Sequence, residues 1–206
     1  MNITEDDIQL YRNQMNLIKQ RMSAIKSILD KHTFTLYEQT DIEFCALQLR
    51  KVIELIMLGS LVVNADVYES KYSEIRDWKS DWNAKYICND LARVNDKFYP
   101  QPIKVSHGTD GKVNHWERID DECITAEKML IVYDKIGRFM HSDNPFGSQV
   151  DYEYYEGLIN DCYNEVIKLT TCHLVYFVGQ VYCYYVAMTT SPEDDSVYIT
   201  LFEQQL

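Results

Sequence analysis

The chain has 206 residues, of which 46% are hydrophobic and 25% are charged, so its composition excludes a disordered protein and fits one globular domain over residues 1–206. The formal net charge is −12, and a field of that sign repels phosphate backbones at long range. We therefore do not expect nucleic acid as a partner, unless RNA enters a local site.

The six cysteines are scattered without a C-x-x-C pair, and most stand where a helix or strand pattern needs an apolar residue. That distribution is typical of reduced, buried thiols. The first twelve residues lack the basic and apolar regions of a signal peptide, and the longest apolar stretch, 52–63, is too short to span a bilayer. We expect a cytoplasmic protein without a membrane span.

Apolar residues recur every three or four positions along the first predicted helix and form a heptad seam over residues 8–29. Thr4 is the predicted N-cap, and acidic residues follow it where the helix dipole favours negative charge. The seam predicts one long packing partner for this helix. That partner is a helix of the same chain, a second copy in a homo-oligomer, or another protein.

A second helix is predicted to begin at Thr40, because Thr40 and Glu43 have the spacing of a capping box. From residue 52 it is apolar on nearly every face, as helices inside a bundle are. A third helical stretch is predicted over roughly 73–94, either continuous or broken near Ser80-Asp81, and it ends before Pro100, which lacks the N–H that a helix needs.

Two short strands, 103–107 and 113–119, are predicted on either side of Asp110-Gly111, a dipeptide typical of a type I′ hairpin turn. A fourth helix is predicted from about residue 122 to His141, and a fifth over about 150–169. Both rest on apolar residues at helical spacing.

Beyond the fifth helix, β-branched and aromatic residues predict strands at 173–178, 181–188 and 197–202. Gly179-Gln180 suits a two-residue type II′ turn between the first two. The predicted fold class is α+β and predominantly α. It comprises a bundle of about five helices over residues 4–170, a β-hairpin inserted at 103–119, and a C-terminal three-stranded antiparallel meander at 173–203.

The sequence contains no phosphate-binding glycine loop and no paired metal-ligand motif, so we expect neither a cofactor nor a metal ion. His107 and His115 are the histidines closest together in sequence. The predicted hairpin register places His107 opposite Asn114 and His115 opposite Ser106, on the other side of the ribbon. The two imidazoles could not then share a metal ion.

A segment at the end of the fourth helix combines Arg138 and His141 with Asp143 and Asn144. An Arg and a His three residues apart can converge on one phosphate group, the His as acid or base and the Arg stabilising charge. The alternative is structural: His141 caps the helix C-terminus, and Asn144-Pro145 turns the chain.

The predicted meander is rich in tyrosine, and Tyr182 and Tyr184 on its second strand are candidates for a ligand-binding surface. A Tyr-rich sheet face can equally be half-buried against helices. Both interpretations stay open at this point.

Four segments resemble a family of bacterial proteins that has no assigned activity. They are 47–56 (LQLRKVIELI), 81–85 (DWNAK), 98–102 (FYPQP) and 141–146 (HSDNPF). The resemblance implies a bacterial cytosolic protein and nothing about chemistry.

A looser similarity is to the helical bundles known as HEPN domains, whose ribonuclease members use an Arg followed by a His. The Arg-to-His spacing of those members is longer than that between Arg138 and His141. This similarity implies a metal-independent ribonuclease, with His141 as general acid or base and Arg138 on the scissile phosphate. It equally implies a non-catalytic component of a bacterial defence or toxin–antitoxin system.

Three functions follow, in this order. The first is a non-enzymatic interaction or regulatory protein, because catalytic motifs are absent, the first helix has a seam, and the surface is acidic. The second is the ribonuclease. The third is a small-ligand binder that uses the Tyr-rich sheet.

Overall fold

The computed structural model describes residues 4–107, 113–119, 123–142, 144–189 and 195–203, and this part of the chain forms six α-helices and five strands. The helices are α1 (Glu5–Leu29), α2 (Glu38–Val63), α3 (Ala65–Tyr72), α4 (Ala84–Ala92), α5 (Ala126–Phe139) and α6 (Tyr152–Thr171). The strands are β1 (Gln101–His107), β2 (Val113–Arg118), β3 (Cys172–Tyr176), β4 (Tyr182–Ala187) and β5 (Tyr198–Glu203). The predicted α+β, mainly helical class is confirmed.

Helix α1 lies along α2 of the same chain through the predicted seam. Thr4 caps α1: its hydroxyl accepts a bond from the Asp7 N–H at 3.3 Å, and the Asp7 carboxylate accepts one from the Thr4 N–H at 2.9 Å. The central seam residues are buried, and they are Tyr11, Met15, Ile18, Met22 and Ile25. A partner or second copy that used the seam over residues 8–29 would first have to displace α2.

Helix α2 is the central helix of the bundle and contacts α1, α4, α5 and α6. It begins at Glu38, so the predicted start at Thr40 is wrong. The reason is that Thr40 lies in the first turn, where its hydroxyl accepts a bond from the Tyr37 N–H at 3.3 Å and donates to the Tyr37 carbonyl at 2.8 Å.

The stretch predicted as helical over roughly 73–94 is helical only in its second half, and the break considered near Ser80-Asp81 is longer than predicted. Helix α3 ends at Tyr72, a short 3₁₀ turn follows over Trp78–Ser80, and α4 begins after its N-cap Asn83. Arg76 holds the intervening segment against α4, through ion pairs with Asp81 at 3.0 Å and Asp90 at 2.5 Å.

The predicted hairpin and meander are joined in one antiparallel sheet of order β2-β1-β3-β4-β5. The junction is the pairing of Gln101 with Leu174 and of Pro102 with His173. Ser106 pairs with His115 as predicted, while His107 pairs with Val113 rather than Asn114 because the register shifts at that point. The predicted Asp110-Gly111 turn lies outside the described residues.

The connection between β3 and β4 differs from the predicted two-residue turn. Gln180 donates its N–H to the Phe177 carbonyl at 2.9 Å, so the turn spans residues 177–180. Gly179 is the third residue of this turn and has a φ of 82°, a value that favours glycine.

Alternate residues of the sheet face two different clusters. Val175, Tyr184 and Val186 belong to the large core that the helices form, whereas Leu174 and Cys183 belong to a smaller cluster on the opposite face. Among the described helices, none is both long and apolar enough to span a bilayer.

Candidate functional site

Arg138 and His141 line one open cleft of about 690 Å³ at the C-terminal end of α5. The other residues that line this cationic cleft are Arg50, Lys85, Asp134, Gly137 and Met140. Three helices therefore contribute to it, because Arg50 belongs to α2 and Lys85 to α4.

The outer face of α5 supplies the Arg138 side chain. Thr125 caps this helix by accepting a bond from the Lys128 N–H at 3.2 Å, and one stripe of the helix is buried in the core. Helical periodicity then places Asp134 and Arg138, four residues apart, together on the outer side. The fold directs both charged groups to the cleft.

His141 follows the last turn of α5. Its backbone N–H donates to the Arg138 carbonyl at 3.2 Å, so the main chain rather than the imidazole satisfies that carbonyl. The His141 side chain is exposed at the cleft. The helix end therefore does not depend on the His141 imidazole, which is available to contact a ligand in the cleft.

Arg50 reaches the cleft from the middle of α2. Its guanidinium carbon lies 3.9 Å from the centroid of the Tyr133 ring, and it donates to the Tyr133 hydroxyl at 2.6 Å. Tyr133 in turn donates to Glu54 at 2.9 Å, and Glu54 pairs with Arg50 at 3.4 Å. Burial, together with Glu54, raises the pKa of Tyr133 to about 12, so the phenol stays protonated and Arg50 is held in place.

Gly137 makes the close approach of Arg50 possible. A Cβ atom at this position would lie 2.8 Å from Nη1 of Arg50, which is too close for a carbon atom. A glycine inside a helix costs about 1 kcal/mol relative to alanine, so a packing reason for its presence is expected. Here the missing side chain gives the guanidinium its space.

The cleft is locally cationic although the whole chain is acidic. Arg50, Lys85 and Arg138 line it with one carboxylate among the described lining residues, that of Asp134, which Lys85 binds at 2.7 Å. Glu54, outside the lining, pairs with Arg50 at 3.4 Å, so the excess positive charge is that of Arg138. Within the ranges that the structure describes, no hydrogen bond or ion pair engages the side chains of Arg138 or His141. These two groups can therefore bind an anion without first losing another contact.

The other two polar candidates near this helix end do not add to the cleft. Asp143 lies outside the described residues. Asn144 accepts a bond from the Phe146 N–H at 3.0 Å on its side chain and one from the Gly147 N–H at 2.8 Å on its carbonyl. Asn144 therefore stabilises the turn, as the structural interpretation of this segment predicts.

The prediction that Tyr182 and Tyr184 form a ligand-binding surface is wrong for Tyr184, while for Tyr182 it stays a prediction. Tyr184 is fully buried, with its ring 5.8 Å from that of Tyr11 and 4.9 Å from that of Phe177. Tyr182 lies on the same face of β4 and is half-buried against the core. The exposed aromatic residues of the sheet are on the opposite face, and they include Tyr198 and Phe202.

Sequence reasoning missed Arg50 and Lys85 as parts of the site. A signal existed for Arg50, because a charge within an apolar helix needs a partner, and for Gly137, because glycine weakens a helix. Lys85 carried no such signal, since nothing in its neighbouring sequence marks it as part of a site.

Metal binding finds no support in the described part of the chain, where no three His, Cys, Asp or Glu side chains come together as ligands. No family model matches the chain, and neither a curated protein nor a solved structure is significantly similar to it. The resemblances drawn from the sequence stay predictions.

Proposed function

We propose that this protein is a non-enzymatic, cytoplasmic interaction protein that binds an acidic segment of a partner protein in the cationic cleft. One observation carries the proposal: Arg138 and His141 share an open cleft with Arg50 and Lys85. Guanidinium groups bind carboxylates through two parallel hydrogen bonds, and Arg138 is available for such a pair. A role in a bacterial defence or toxin–antitoxin system rests on the sequence resemblance alone.

Charge favours a protein segment over a nucleic acid. A net charge of −12 repels a long polyanion, whereas a short acidic segment needs to neutralise only the cleft. Apolar side chains are also exposed beside the charges: Met140 lines the cleft, and Ile131 lies on α5 two turns before Arg138. An acidic segment with apolar residues matches both features.

The test is fluorescence anisotropy with a labelled peptide of alternating Glu and Leu, compared with the same peptide carrying Gln in place of Glu. We expect the Glu peptide alone to bind, and Arg138→Ala to weaken it roughly tenfold, the factor for about 1.4 kcal/mol. Lys51→Ala is the matched control, because Lys51 is next to Arg50 in sequence but does not line the cleft. Equal binding of the two peptides would exclude the proposal.

A second candidate is a metal-independent ribonuclease, and the presence of Arg138 and His141 in one cleft favours it. His141 would act as general acid or base, while Arg138 and Arg50 would stabilise charge on the scissile phosphate. RNA degradation in the presence of EDTA, compared between the parent protein and His141→Ala, tests this function. If the two proteins behave alike, the ribonuclease hypothesis is excluded while the peptide-binding proposal stands.

A further inference from the structure

We propose that a second pocket, between the end of α1, the start of α2 and the first half of α6, binds a small organic cation that carries an apolar group. The pocket has a volume of about 360 Å³, which falls in the range of small-molecule sites. It shares no lining residue with the cationic cleft, so this inference is independent of the proposed function.

The floor of the pocket is apolar. Cys45 and Ile159 are 1% and 0% exposed, and half-buried Ile42 and Leu29 lie beside them. Phe34 at the rim is 77% exposed, an unusual state for a large apolar side chain. A ligand with an aromatic or branched aliphatic body would bury these surfaces.

The rim of the pocket is negative. Glu38, Asp41 and Glu156 line it, and among the described lining residues they face a single ammonium group, that of Lys31. Burial, together with the nearby Asp41 and Glu156 carboxylates, raises the pKa of the Cys45 thiol to about 12. The two carboxylates are thus close enough to make the potential at the pocket floor negative.

The local fold does not account for all of these carboxylates. Asp41 accepts bonds from Thr35 through Oδ1, which leaves Oδ2 to a ligand, and Glu38 stabilises the first turn of α2. Glu156 has no such role, because it lies beyond the first turn of α6. In the part of the chain that the structure describes, no hydrogen bond or ion pair engages its side chain.

The choice of a cation follows from this arrangement. An ammonium group at the rim would pair with Glu156 and Asp41 while its hydrocarbon part lies on Ile42 and Ile159. An anion of the same shape would meet three carboxylates and would be repelled. Charge complementarity therefore distinguishes this pocket from a general apolar depression.

The experiment uses the full chain with ¹³C-labelled isoleucine methyl groups, titrated with phenethylamine and with phenylacetate, which has an aromatic ring and the opposite charge. We expect phenethylamine to shift the Ile42 and Ile159 signals saturably and to leave Ile199 on β5 unchanged. Phenylacetate at the same concentrations should shift none of them.

Two variants complete the test. Glu156→Gln should weaken phenethylamine binding roughly tenfold, whereas Glu153→Gln, an exposed residue one turn earlier on α6, should leave it unchanged. The proposal is overturned if phenylacetate binds as well as phenethylamine, if the Ile42 and Ile159 signals do not move, or if Glu156→Gln binds with the parent affinity.

Discussion

The hydroxyl oxygen of Tyr11 and Nε2 of His173 lie 2.9 Å apart and join α1 to β3 inside the core. Nδ1 of the same imidazole is 2.9 Å from the Thr170 carbonyl oxygen, which can only accept a hydrogen bond. Nδ1 therefore carries the proton, and Nε2 accepts the bond that Tyr11 donates. Burial lowers the pKa of His173 to about 4, so the ring is neutral in the folded protein at pH 7.

This histidine should make the protein less stable in mild acid. The ordinary pKa is 6.5, so between pH 6.5 and about 4 the unfolded chain binds more protons than the folded one, and stability falls as the pH falls. The free energy of unfolding should drop by about 2 kcal/mol between pH 7 and pH 5 from this group alone. Urea unfolding at the two pH values measures the effect.

His173→Gln should reduce that pH dependence by the same amount, even if the variant is less stable overall. His115→Gln is the control, because His115 is exposed on β2. The prediction is wrong if His173→Gln and the parent protein lose equal stability on acidification.

Gly137→Ala should weaken peptide binding in the cleft while changing the free energy of unfolding only slightly. Alanine gains about 1 kcal/mol of helix propensity, but its Cβ displaces the Arg50 guanidinium from its place beside Tyr133. We expect a small change in melting temperature and several-fold weaker binding of the acidic peptide. Gly157→Ala in α6 is the matched control: its Cβ would meet no atom within 4 Å beyond its own turn of helix, so it should raise stability and leave peptide binding unchanged.

Arg76→Ala should destabilise the protein by about 2 kcal/mol, because it leaves the buried Asp90 carboxylate without its closest partner. The loss is smaller than for a fully buried pair, since Arg76 is partly exposed and Arg93 also pairs with Asp90 at 3.2 Å. Lys79→Ala removes an exposed ion pair of 3.8 Å and should cost less than about 0.5 kcal/mol. Chemical denaturation compares the two, and equal losses would contradict the assigned role of Arg76.

The buried cysteines should resist alkylation in the folded protein. Burial raises the pKa of Cys45 and Cys162 to about 12 and that of Cys88 to about 11, so little reactive thiolate forms at pH 8. Iodoacetamide treatment followed by mass spectrometry should leave these three unmodified in buffer and modified in urea. Labelling of Cys45 at the same rate in both conditions would contradict the burial that the structure gives it.

The elements that the sequence predicted well are those set by local periodicity. The seam of α1 and the strand pattern of β3, β4 and β5 both appear where the spacing placed them. Over residues 73–94 only α4 is helical, because the first part of the segment is held by ion pairs from Arg76 to Asp81 and Asp90, which depend on tertiary packing. The β1–β3 pairing was missed for the same reason, since no short pattern joins Gln101 to Leu174.

Only part of the candidate site could be predicted from the sequence. Arg138 and His141 stand out in sequence because they are close together at a helix end, whereas Arg50 and Lys85 reach the cleft only when α2 and α4 pack on α5. The prediction that Tyr184 lies on a β-strand with alternating faces was correct. Which face of the sheet the helices cover was not encoded in that alternation.

The pairing of β1 with β3 also determines when the sheet can form during synthesis. Gln101 leaves the ribosome long before Leu174, and α5 and α6 lie between them in the chain. Closing so long a loop costs entropy that folded helices reduce by bringing its ends together. The nascent β1–β2 ribbon therefore keeps an open edge until β3 emerges and pairs with it.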